Sequence, residues 1–281
     1  MNLVDSSKVN DFNKSDKLLI ADRLFGSRLM LGTGKYENLR LAQESISVSQ
    51  ASMVTVAMRR LQSVVPPKES LPVSTIWTVL SSTRSWILPN TAGCTTSDEA
   101  IRLAALGREM CKRIGQEDNS FVKLEVIPDP YNLFPDPIGT LKAAEYLISR
   151  DYVVLPYIYP DPILAKQFEE LGCASVMPLG SPIGSGLGLQ NQEALEAIIN
   201  NAKIPVIVDA GIGTSSDAVK AMEMGASAVL VNSAVAYSKS PPLMAYAIKL
   251  GVLSGRAAYL AKRMSKSSYA VSSSPSTGLL N

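Results

Sequence analysis

The sequence predicts an α/β fold built as a single (β/α)8 barrel with parallel strands and a flexible tail at each end. Three observations carry this. Eight short apolar runs recur along the chain. Each is near-continuous in apolar residues rather than alternating, as strands covered on both faces are. Each is followed by a turn cluster and a longer helical pattern, the rhythm of a barrel. The 281 residues, 46% of them hydrophobic, suit one barrel and its core, since barrels run to about 250 residues.

Residues 1–16 are polar and mix Asp5 and Asp11 with Lys8 and Lys14. They lack the apolar core of a secretory signal and the Arg-rich character of a transit peptide, and read as a frayed tail. The barrel is assigned to residues 17–264, with strands at 29–32, 53–57, 86–89, 122–127, 152–156, 174–179, 205–209 and 228–232. Helix punctuation supports this register. Asp136-Pro137 and Asp161-Pro162 each place an N-cap acid before a proline suited to the first helical turn. Thr96 with Glu99, and Thr214 with Asp217, have capping-box spacing. Leu141, Ala144 and Ile148 repeat at helical spacing and should face the sheet. The stretch 61–85, with Pro66-Pro67 and Pro72, reads as a loop plus one short helix. Residues 265–281, serine-rich at first, read as a second flexible tail. A doubly wound sheet is the alternative, but no Gly-x-Gly-x-x-Gly follows the first strand.

Composition excludes several chemistries. Histidine is absent, which removes Ser-His-Asp and Cys-His nucleophile systems and the usual zinc sites. Cys94, Cys111 and Cys173 show neither metal-ligand spacing nor a disulfide framework, and read as buried thiols. A net charge of +2 with interspersed signs gives no footprint for nucleic acid or an anionic membrane surface. No apolar run approaches the roughly 18 residues of a membrane span, so the expectation is a soluble protein. No metal and no organic cofactor are expected.

The fourth run reads Phe121-Val122-Lys123-Leu124-Glu125-Val126-Ile127. Side chains alternate along a strand, so Lys123 and Glu125 share a face opposite Val122, Leu124 and Val126. The helical layer is apolar, so the two ionisable groups should point into the barrel. A structural Lys–Glu ion pair is one reading. The functional reading is that burial lowers the pKa of Lys123, leaving some neutral amine to attack a ketone. The iminium then withdraws electrons from the neighbouring carbon, and Glu125 or Asp209, at the end of the seventh strand, can move the proton.

The phosphate signal lies later. The seventh run ends in Asp209-Ala210-Gly211-Ile212-Gly213, and the eighth in Val231-Asn232-Ser233-Ala234. Barrel enzymes commonly hold a phosphate between these two loops. Gly180-Ser181-Pro182-Ile183-Gly184-Ser185-Gly186 is too glycine-dense for a simple turn and reads as another wall of the pocket. Gly32-Thr33-Gly34-Lys35 lacks the spacer of a nucleotide phosphate loop, and Lys35 is a rival imine lysine that should be solvated. Arg59-Arg60 reads as solvated or ion-paired, and Asn90 as a substrate-orienting residue at the mouth.

On Gly32-Thr33-Gly34-Lys35-Tyr36, Leu88-Pro89-Asn90-Thr91-Ala92-Gly93, Lys123-Leu124-Glu125-Val126, the stretch from Met177 through Gly186, and Val208-Asp209-Ala210-Gly211-Ile212-Gly213, the chain resembles the thiazole synthases of thiamine biosynthesis. The tail Ser273-Ser274-Pro275-Ser276-Thr277-Gly278-Leu279 resembles the family's C-terminal signature, which implies that residues 265–281 contribute to the active-site mouth. The resemblance implies 1-deoxy-D-xylulose 5-phosphate, dehydroglycine, and sulfur from a thiocarboxylated ubiquitin-like carrier protein docking at the barrel mouth. It implies Lys123 as the imine-forming residue, Glu125 and Asp209 as acid/base groups, and sugar-phosphate contacts at Gly184, Ala210, Gly211, Asn232 and Ser233. It further implies a homotetramer, a dehydroglycine-producing enzyme as a further partner, and residence in bacterial cytoplasm or plastid stroma. Two departures stand out: the stretch between Arg60 and Leu88 is longer than the family's, and Leu187 occupies a position where a polar side chain is expected. The rival readings are a class I aldolase and a non-catalytic phosphate-binding barrel that docks a carrier protein.

Overall fold

A computed structural model describes residues 16–59, 76–83 and 85–273. The expectations for the tail 1–15, for Arg60, for 61–75 and for the signature from Ser274 onward lie outside the described residues.

Eight parallel strands form the barrel: β3 (Leu29–Gly32), β4 (Met53–Ala57), β5 (Trp86–Asn90), β6 (Phe121–Leu124), β7 (Val153–Ile158), β8 (Met177–Pro178), β9 (Ile207–Asp209) and β10 (Ala228–Val231). They run in the order β8-β7-β6-β5-β4-β3-β10-β9. Parallel bridges Val176–Val206 and Leu179–Asp209 then join β8 to β9 and complete the ring. Each sequence run falls on its strand, though β8 keeps regular pairing over two residues only. Among the described residues, no helix is long and apolar enough to cross a membrane.

Helix starts follow the sequence chemistry. Asp136 accepts from the Ile138 amide at 3.0 Å, and Asp161 from Ile163 at 2.8 Å and Leu164 at 3.1 Å. Thr96 accepts from Glu99 at 3.3 Å, but Glu99 reaches back one residue further than a capping box requires, to the Thr95 amide. Asp217 accepts from both Gly213 and Thr214. Within the stretch 61–85, the described part holds the short helix Ile76–Ser82.

Strand alternation produces two cores. Val122, Leu124 and Val126 face outward into the layer between sheet and helices, alongside Ala144, Ala143 and Leu147. Phe121, Met30, Met53, Leu88, Leu155 and Ile207 fill the lower barrel interior. A hairpin absent from the sequence reading, β1 (Leu18–Ile20) with β2 (Arg23–Phe25), plugs that end with Leu18, Ile20 and Phe25. Apolar side chains thus fill the barrel floor, and a cavity opens at the strand C-termini.

The assignment of residue 16 to the frayed tail is corrected. Asp16 accepts from Arg28 at 2.7 and 2.8 Å, and from Arg256 of the last helix (Pro241–Ala261) at 2.9 Å from each of two nitrogens. The carboxylate ties the start of β3 to the C-terminal helix. Cys94, Cys111 and Cys173 are buried and free, as expected. Burial raises them, Cys94 to about 11 and the other two to about 12, so all three stay thiols at neutral pH.

Candidate active site

A cavity of about 930 Å³ opens at the C-terminal ends of the strands, with Thr55, Asn90, Lys123, Glu125 and Asp209 among its lining residues. β6 aims Phe121 into the plug and Lys123 into the cavity above it, and Glu125, just past the strand end, enters the cavity on the same face. Asp209 enters from the end of β9. The lysine Nζ sits 2.5 Å from Asp209 Oδ2 and 3.3 Å from Glu125 Oε1. All three are nearly sealed from solvent, at 6%, 3% and 4% exposure for Lys123, Asp209 and Glu125. The sequence reading united Lys123 with two candidate bases, and the fold brings all three together.

The predicted electrostatics are corrected. Burial alone does lower Lys123, but the charges of Asp209 and Glu125 outweigh it and hold the ammonium above its ordinary 10.5. Burial raises Glu125 and Asp209 despite the lysine beside them. One cation thus faces two buried carboxyl groups. Among the described residues, no cluster of Asp, Glu or Cys is gathered as a metal site needs.

The walls carry the other predicted residues. Gly184, Ala210, Gly211, Asn232 and Ser233 all line the cavity. Ala210 and Gly211 both adopt left-handed backbone, at φ 65 and φ 79, which turns the chain sharply after Asp209. A Cβ at Gly211 would overlap the hydroxyl and amide of Ser181, so this glycine lets two loops meet. The loops after β8 and β10 converge, since a Cβ at Gly184 would stand 3.8 Å from the Ser233 hydroxyl. Asn232 presses against Gly32, where a Cβ would lie 2.6 Å from its own, and its buried Oδ1 has no hydrogen-bond partner.

Lys35 lines the cavity but is exposed, as expected of a solvated rival. Arg59 also lines it, and its guanidinium donates to the Gly93 carbonyl. Asn90 is held by donating to the Thr55 hydroxyl at 3.0 Å and accepting from the Ala92 amide at 3.2 Å. Leu187 is 60% exposed. The sequence reading missed Tyr157, fully buried beside the lysine with Nζ 5.5 Å from its ring centre. An aromatic in a buried apolar run reads as plain core, and only its polar tip could have hinted otherwise.

Residues 19–275 match the family model described as thiazole biosynthesis protein ThiG. The chain belongs to the ThiG family. It is 62% identical over 263 residues to the thiazole synthase of Gracilaria tenuistipitata var. liui, covering 93% of this chain and 94% of that one. To the thiazole synthase of Porphyra purpurea it is 58% identical over 271 residues, covering 96% of each. Among solved structures, the Amycolatopsis orientalis BexX/CysO complex is similar at 29% identity and a TM-score of 0.75, covering 90% of this chain and 98% of that chain. As a ThiG-family member the chain is an enzyme, a thiazole synthase of thiamine biosynthesis. Neither the aldolase nor the non-catalytic barrel reading is favoured.

Proposed function

We propose that this thiazole synthase works through an imine between Lys123 and the ketone of 1-deoxy-D-xylulose 5-phosphate. The observation that carries the reading is the placement of Lys123, buried between Asp209 and Glu125 at the closed end of an open cavity. Asp209 takes the ammonium proton, and the neutral amine attacks the ketone carbon. The carbinolamine then loses water, and a proton returned from the acid pair assists its departure. The iminium draws electrons from the neighbouring carbon, from which Glu125 removes a proton to give an enamine. The loops of Gly184, Ala210, Gly211, Asn232 and Ser233 hold the phosphate across the barrel from the lysine.

The second reactant is dehydroglycine, furnished by a separate dehydroglycine-producing enzyme, and sulfur arrives as the C-terminal thiocarboxylate of a ubiquitin-like carrier. Similarity to a protein solved in complex with CysO supports a protein partner at the mouth. The assembly is a homotetramer. The last helix supports self-association by exposing Leu243, Tyr246, Leu250 and Leu260 along its length. The enzyme resides in bacterial cytoplasm or plastid stroma. The test is product formation from the three reactants: thiazole phosphate should appear only with thiocarboxylated carrier. Release of a shorter sugar phosphate without carrier would make the chain an aldolase instead.

A further inference from the structure

Tyr157 has no part in the steps above, yet it is the buried polar group nearest in kind to what they lack. It sits on β7, paired with Met177 of β8, and its side chain is fully buried. It packs with Ile127 and Leu179 and against Leu133 and Ala210, and Ile127, Leu133 and Ala210 themselves line the cavity. Its ring faces Lys123, with Nζ 5.5 Å from the centre. Its hydroxyl finds no hydrogen-bond partner. A buried donor left unmade is costly, so its retention needs a reason.

The charges around it supply one. Lys123 faces it from β6, and the same Nζ contacts Asp209 at the end of β9 and Glu125 just past β6, while Met177 and Leu179 of the β8 side and Leu133 are apolar. Burial raises the phenol far above its ordinary 10.0, and Asp209 and Glu125 raise it further, so it remains an O–H donor throughout. In the resting site one ammonium contacts both carboxyl groups. That changes whenever the lysine nitrogen is neutral, as free amine or as carbinolamine. One carboxyl has then taken the proton, and the other is a buried carboxylate without its cation.

We infer that Tyr157 is a positioning residue whose hydroxyl donates to whichever carboxylate of the Glu125–Asp209 pair Lys123 leaves unpaired. No proton leaves the phenol. The hydrogen bond forms while the nitrogen is neutral and lapses when the iminium restores the positive charge. This rests on the imine reading of Lys123 proposed above.

Tyr157→Phe in the full chain tests it, since phenylalanine keeps the ring, its packing and its face toward the ammonium. The readouts are single-turnover borohydride trapping across pH, equilibrium binding of the sugar phosphate, and thermal melting. Imine formation should slow roughly tenfold, the loss of one hydrogen bond to a charged group. The acidic limb of its pH profile should move upward, because a carboxylate without a donor protonates more easily. Sugar-phosphate affinity should stay within about twofold, and the melting temperature should hold or rise. An unchanged rate and pH profile would overturn the inference. So would a lower melting temperature, which would show the hydroxyl already bonded within the fold. Failure of trapping in the unaltered chain would strike the imine reading itself, a distinguishable result.

Discussion

Asp209 on β9 places its Oδ2 2.5 Å from the Nζ of Lys123 on β6, inside a barrel whose lower end is plugged. The ammonium is held above its ordinary value, and in the proposed imine step its proton passes to this neighbouring carboxylate. Asp209→Asn removes that acceptor. Imine formation should fall about a hundredfold, the low end of general acid–base contributions. The pH dependence should also change sign in a readable way. With its largest supporting charge gone, Lys123 titrates lower, and below that pKa the variant's rate should climb about tenfold per pH unit as solvent takes the proton. Trapping rates measured from pH 6 to 10 would show it. A variant as fast as the parent would mean that Glu125 alone suffices.

The Asp16 clasp makes a stability prediction. Burial pushes its carboxyl up, but hydrogen bonds and charge from Arg256 and Arg28 more than reverse this and hold it at about 2, against an ordinary 3.8. A depressed carboxyl pKa contributes stability that is full above about pH 4 and is lost as pH falls toward 2. Asp16→Asn should cost about 2 kcal/mol near pH 7, or roughly 4 °C in melting temperature for a chain of this size. The difference between the two proteins should shrink below pH 4. A constant difference down to pH 2 would contradict the assignment.

For the phosphate site, Ser233→Ala is a cleaner probe than a substitution at Gly211. Valine at Gly211 would strike Ser181 and break the meeting of two loops, confusing folding with binding. Ser233→Ala should raise the sugar phosphate's KM roughly tenfold, about the loss of one good contact, with kcat nearly unchanged. An unchanged KM in steady-state assays would place the phosphate elsewhere.

Much of this was legible in the amino-acid order, for physical reasons. The parallel strands are covered on both faces, so they appear as continuous apolar runs, and β3 and β4 match theirs end to end. Alternation made Lys123 and Glu125 visible because two charges on one face of a buried strand have nowhere to go but inward. The β1–β2 hairpin was not legible. Its two strands have three residues each, and its turn depends on Ala21 at φ 52, which no glycine or asparagine announces. The direction of the Lys123 shift was missed because desolvation can be inferred from a strand pattern, whereas the second carboxylate arrives from a distant strand. Asp16 was lost to the tail because its two arginine partners are remote in sequence.

Truncating the C-terminal segment is a test that separates catalysis from folding. Residues 262–273 are all exposed and add nothing to either core. Truncation after Ser272 should therefore leave the melting temperature within about 1 °C, as expected for loss of an exposed terminus, with trapping on Lys123 intact. Turnover with the thiocarboxylated carrier should fall sharply if the segment closes the mouth. Normal turnover would remove that role, and unfolding would reveal a structural strap.

The most direct test of the account is borohydride reduction of the enzyme with 1-deoxy-D-xylulose 5-phosphate, followed by peptide mass spectrometry. A single reduced sugar-phosphate adduct is expected on Lys123, absent from a folded Lys123→Arg variant, because arginine keeps the charge but is no nucleophilic amine. An adduct on the exposed Lys35, or none at all, would contradict it.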